Sequence, residues 1–137
     1  MRKILNRALT ASLAVAAVAF AGATVLHAQP VVEIKRALLI KHDASIAGRE
    51  SVMSSVVIPP NAAEERHTHP GDLTGYVVSG TLTLEVEGQP TATVKPGEAF
   101  FIPAEKIHRG VNKGSVPVQI VAELYVEKGK PLAPAAK

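Results

Sequence analysis

Three features of the sequence predict a single all-β domain. Short runs rich in Val, Ile, Leu and Thr recur from Val31 onward, separated by Gly, Pro and Asn, at the spacing of sandwiches and barrels. Residues 81–87 set Leu82, Leu84 and Val86 against Thr81, Thr83, Glu85 and Glu87, the period-two pattern of a strand with one wet face. No segment after residue 28 holds a helical period of useful length. At 137 residues the chain has room for one domain.

The N-terminal segment stands apart from that domain. Arg2, Lys3 and Arg7 precede an uncharged run rich in Ala and Val over residues 8–26, which closes on Leu26-His27-Ala28. A charged start, an apolar middle and a small-residue end make residues 1–28 a secretory signal peptide. Cleavage is expected near Ala28, leaving residues 29–137 periplasmic or secreted and free of the membrane. About 19 apolar residues could also span a bilayer as an uncleaved anchor. A run of Ala rather than Leu is weakly hydrophobic for that role.

Strands are expected over residues 31–40, 51–58, 73–78, 81–86, 91–94, 99–102 and 116–126. Each gap carries a turn former: Gly48, Pro59-Pro60-Asn61, Pro70-Gly71, Gly80, Gly88, Pro96-Gly97 and Gly114. Pro fixes φ, and Gly or Asn tolerates positive φ. Lys41-His42-Asp43 reads as a polar turn, and residues 128–137, with Pro131 and Pro134, as a solvated end. Tyr76, Phe100 and Phe101 fall in strands and are assigned to the core. Glu64, Glu65 and Arg66 are assigned to a charged loop.

Charge excludes one class of partner. The chain is formally +3 with a pI near 9.3, but residues 1–28 hold three of the fifteen basic groups and none of the twelve acidic ones. The remainder has no net charge, no Lys/Arg cluster and few aromatics, so nucleic acid is excluded as a partner. No cysteine is present, so neither disulfides nor thiolate ligands are available. A homodimer would add buried area to so small a core, although no sequence feature marks an interface.

Histidine is the residue type that can do chemistry here. His42, His67, His69 and His108 lie beyond residue 28. His67-Thr68-His69 puts two imidazoles at i and i+2, on one face of an extended chain. Both can then reach one ion at about 2.1 Å. By itself the pair is also what two unrelated loop histidines would look like.

Two longer motifs narrow the choice. The first runs from Asn61 through His67 and His69 to Gly80; the second runs from Gly97 through Pro103 and His108 to Asn112. In order and spacing they resemble the two motifs of the cupin family, Gly-x5-His-x-His-x3,4-Glu-x6-Gly and Gly-x5-Pro-x-Gly-x2-His-x3-Asn. The resemblance implies a jelly-roll-like antiparallel β-barrel over residues 29–137. It also implies one divalent transition metal (Fe, Ni, Zn, Cu or Mn) on His67, His69 and His108. Three departures stand out. Asn61 and Glu105 replace motif glycines, Glu105 implying a reshaped rim before His108. Leu73 occupies the carboxylate ligand position. Asp72, next door, reaches the ion only if a bulge after Pro70-Gly71 reverses the pleat.

Three neutral imidazoles leave the ion's charge uncompensated, which favours a small anionic ligand or substrate. Some cupins with three histidines and no glutamate are iron dioxygenases of small molecules, so the resemblance implies a dioxygenase-like oxidoreductase. A non-catalytic exported protein that binds a small ligand or a metal is the alternative, because fold does not choose among functions. Glu98, Glu105, Arg109 and Tyr76 are the candidate acid–base groups for an enzyme.

Overall fold

The computed structural model describes residues 33–136. The expected signal peptide lies outside them. Among the described residues there are eight strands: β1 (Lys35–Asp43), β2 (Arg49–Ile58), β3 (Asp72–Ser79), β4 (Leu82–Val86), β5 (Ala92–Val94), β6 (Ala99–Ile102), β7 (His108–Val111) and β8 (Val118–Glu127). One sheet has the order β1-β2-β8-β3-β6 and the other β5-β4-β7, and every pairing is antiparallel. The all-β expectation holds, and no described residue is helical.

The inner faces of both sheets make one core. Leu82, Leu84 and Val86 of β4 point inward, as their alternation predicts, against Leu73 and Val77 of β3 and Ile120, Leu124 and Val126 of β8. Burying each such side chain is worth about 1.5–3 kcal/mol. The same period-two rule corrects the aromatic assignments. With Leu73 and Val77 inward, Tyr76 faces out, and Phe101 does likewise beside the inward Ile102. Phe100 alone packs half-buried against the core.

Strand ends differ from expectation where pairing overrides local pattern. Lys41-His42-Asp43 is not a turn but the end of β1, with His42 opposite Ser51 and Asp43 opposite Glu50. The chain reverses at residues 44–48 instead, where Gly48 takes a φ of 77°. Strand β7 is absent from the expected set because His-Arg-Gly-Val is four residues long and has no apolar alternation. Its neighbour β4 fixes it, pairing Glu85 with Arg109 and Val86 with His108.

The C-terminal segment is also corrected. It is not a free solvated end: Thr68 N–H donates to the Pro134 carbonyl at 3.1 Å and Ala136 N–H to the Arg66 carbonyl at 3.0 Å. Leu132 packs against the core. The segment therefore runs beside the His67-Thr68-His69 stretch as an extra edge.

Asn61 and Glu105, which stand where the motifs have glycine, both take left-handed backbone, with φ of 56° and 62°. Asn tolerates this region readily, Glu poorly. Glu105 therefore sits in the left-handed region that glycine favours, and the strain is retained. What holds Glu105 there is its own N–H, which donates to the His69 carbonyl at 2.8 Å. Glu105→Gly should relieve the strain and raise stability by about 1 kcal/mol. Chemical denaturation checks this, and a lower midpoint would show that the left-handed turn carries no strain.

Candidate metal centre

Sheet register brings the three expected ligands together. His67 and His108 face each other as a hydrogen-bonded antiparallel pair, exchanging N–H···O bonds of 3.1 and 3.0 Å. Directly opposite residues put their side chains on the same face, and His69, two residues on, shares it. The ring centroids of His67 and His108 lie 4.4 Å apart, and His69 is 4.8 Å from each. One donor nitrogen from each ring lies within 4.8 Å of the other two.

Each ring is oriented by a backbone carbonyl. His67 Nδ1 meets the Glu65 carbonyl at 2.8 Å, His108 Nδ1 the Lys106 carbonyl at 2.8 Å, and His69 Nδ1 the Leu132 carbonyl at 2.5 Å. A carbonyl oxygen only accepts, so the protonated nitrogen is assigned to Nδ1 and the lone pair to Nε2 in all three. Burial, the largest influence, pushes the His69 imidazole down to about 4, against the opposing Leu132 hydrogen bond and with help from His108 and His67. His108 is lowered too, again chiefly by burial. His69 and His108 are thereby kept neutral at pH 7 with lone pairs free, as a transition metal requires. The donor set fits the group that the sequence implies.

The histidines open onto a cavity of about 220 Å³ between the sheets. Its wall is apolar, including Leu73, Leu84, Phe100, Ile102 and Leu124, apart from the histidines, Ser54, Arg36 and Glu64. Leu73 thus turns inward, where the motif assigns a carboxylate. Asp72 turns outward and accepts from the Ala104 N–H at 3.0 Å, so the pleat is not reversed. His42 is exposed on β1, with its Nδ1 against the neighbouring Asp43 carbonyl.

None of the four acid–base candidates lines this cavity. Glu98 accepts from the Lys95 N–H at 2.7 Å and stabilises a turn. Arg109 pairs with Glu85 at 2.7 Å, holding the Glu85 carboxyl below its usual range. Glu105 and Tyr76 are exposed. Among the described residues the Lys, Arg, Asp and Glu side chains that do line the cavity are Glu64, assigned from sequence to a charged loop, and Arg36 of β1. Glu64 Oε2 accepts from the Gly110 N–H at 3.1 Å, and Oε1 takes a short ion pair from Arg36. The sequence signal for Glu64 lies three residues before His67, in a stretch that runs antiparallel to β7. Asn112, last residue of the second motif, is structural: it is buried and ties its loop to Ile58, Gly114 and Val116.

Comparison with known proteins agrees with the fold. Residues 54–129 match the model of the Cupin domain. The tetracenomycin polyketide synthase protein TcmJ of Streptomyces glaucescens is 29% identical over 100 residues, covering 72% of this chain and 62% of TcmJ. The chain thus spans less than two thirds of that relative. The polyketide cyclase RemF of Streptomyces resistomycificus is 26% identical with a TM-score of 0.55, over 66% of this chain and 63% of RemF. A Klebsiella pneumoniae protein with a double-stranded β-helix domain is 20% identical with a TM-score of 0.63, over 80% and 90%. The DMSP lyase DddQ of Ruegeria pomeroyi is 16% identical with a TM-score of 0.63, over 75% and 51%, a likeness of fold alone. With both motifs, the two-sheet barrel and the family match covering more than half its length, the chain belongs to the cupin family.

Proposed function

We propose that this protein is an exported metal-dependent enzyme, a dioxygenase-like oxidoreductase acting on a small enolisable carbonyl compound or similar organic anion. The observation that carries the reading is the convergence of three carbonyl-oriented imidazoles on an apolar cavity with Leu73, not a carboxylate, in its wall. His67, His69 and His108 would hold one divalent ion. Bound there, the ion supplies uncompensated positive charge that favours an enolate over its ketone and, if redox-active, an electron path to dioxygen.

The chain's own residues do the rest. Phe100, Ile102, Leu84 and Leu124 exclude water, which strengthens electrostatic contacts inside. The cavity, about 220 Å³, lies below the roughly 300–1,000 Å³ of drug-sized sites, so the substrate is small. Likeness to TcmJ and RemF supports the carbonyl class, since polyketide chains carry β-dicarbonyl units that enolise readily.

One observation favours a binding protein instead. Glu64, the carboxylate in the cavity wall, is already engaged by Arg36 and Gly110 and is not poised as a base. Metal analysis of the purified protein, followed by oxygen uptake of the iron-loaded form, separates the readings. A panel of small β-dicarbonyls, catechols, thiols and hydroxy acids should contain a compound that consumes oxygen, with uptake lost in His108→Ala. Turnover without oxygen uptake would assign a non-redox enzyme. Compounds that bind and raise the melting temperature without turnover on any of Fe, Mn, Ni or Zn would leave a binding protein.

A further inference from the structure

We infer that Arg36 is a carboxylate-recognition residue at the cavity mouth, and that Glu64 is the resident anion that holds it in place. The inference deepens the reading that the cavity takes a small anion, and rests on it. Arg36 comes from the edge strand β1 and Glu64 from the stretch before His67, 28 residues apart in sequence and joined by an ion pair.

Their position is that of an entrance. Arg36, Glu64, His67 and Ala133 line both the inner cavity and a second, more open groove of about 520 Å³. A molecule passing from groove to cavity therefore meets the pair first. Among the described residues Arg36 is the one Lys or Arg lining the inner cavity, so an anion that enters meets its fixed positive charge there.

The pair is asymmetric in a way that suits this role. The Glu64 side chain is 12% exposed, and the Arg36 side chain 51%. Glu64 has one oxygen on Arg36 and the other on the Gly110 N–H. A guanidinium carries five N–H donors in a planar fork, more than one carboxylate oxygen can use, and the fork matches a carboxylate in two-point geometry. The largely covered acid fixes the fork, and the half-exposed base offers it outward. The ligand class that follows is a monocarboxylate with a compact apolar body, its charged end at Arg36 and its body among Phe100, Leu84 and Leu124.

The test compares hexanoate with hexanamide, which share size and shape and differ in charge. Calorimetry on the purified full chain, as isolated and after chelation, should show hexanoate bound about tenfold more tightly, a difference of about 1.4 kcal/mol. In the chelated protein Arg36→Met should abolish that preference and leave hexanamide affinity unchanged, and before chelation its zinc stoichiometry should match the parent's. Glu64→Gln keeps an acceptor for Gly110 but removes the resident charge, and should strengthen hexanoate binding about threefold or more. The preference should also shrink at high salt. In the chelated protein, equal binding of the two probes, a preference that survives Arg36→Met, or weaker hexanoate binding in Glu64→Gln would overturn the inference. Because the chelated protein is included, a metal centre that fails leaves this result intact, and zinc binding without a hexanoate preference rejects the subsite alone.

Discussion

Alanine at His67, His69 or His108 is expected to cost zinc affinity by more than about 100-fold, whichever ring is removed, because a two-ligand remnant holds no ion tightly. The three are expected to act as a unit because one sheet register brings them together. His67 opposes His108 across a hydrogen-bonded pair, and His69 follows two residues on. Their acceptors differ in origin, which makes the expectation sharper. Those of His67 and His108 come from residues two positions earlier, whereas that of His69 is Leu132, 63 residues away. Removing residues 131–137 should therefore weaken zinc binding about 10- to 100-fold by freeing the His69 ring, with all three ligands still present. His42→Ala should change nothing, since that ring is exposed on β1. Zinc stoichiometry and competition with a chelator measure all five proteins. Equal losses in all four histidine variants would mean a loose surface cluster rather than a centre.

What the sequence disclosed follows from the range of each signal. Alternation in residues 81–87 foretold β4 with its inward face, because burial with period two needs no knowledge of partners. The clustering of three histidines was legible because two of them are two residues apart and the third sits in a motif of fixed spacing. Strand β7 was not, since four residues containing Gly110 become a strand only when β4 pairs with them. The same holds for Glu64 and for the C-terminal segment. Glu64 looks like any acidic loop residue until β7 and β1 bring Gly110 and Arg36 to it, and Leu132 looks solvated until its carbonyl meets His69. Tyr76 and Phe101 erred in the opposite direction: apolar character suggested burial, and the pleat set by Leu73 and Ile102 turned them out.

Leu73→Glu should have the largest effect on the metal-free fold and an opposite effect on metal selectivity. Leu73 is 7% exposed, lies between Ile102 and Leu124 in the sheet, and lines the cavity. Removing its packing costs about 2–5 kcal/mol by analogy with large-to-small core changes, and burying an unpaired carboxylate adds to that. Such a carboxyl titrates above its unfolded value. The native state then binds the extra proton, and the variant should be least unstable at low pH and lose stability as pH rises toward neutrality. Metal should reverse the loss. The new oxygen donor sits where the motif assigns a carboxylate ligand, and an anionic oxygen favours Mn and Fe relative to Cu. Asp72→Asn is the control, because Asp72 faces outward and an asparagine oxygen can still accept from Ala104. Melting curves with and without each metal, across pH, read both effects. Weaker metal binding in Asp72→Asn with no gain from Leu73→Glu would mean that the carboxylate ligand is Asp72 and that the three-histidine centre is wrong.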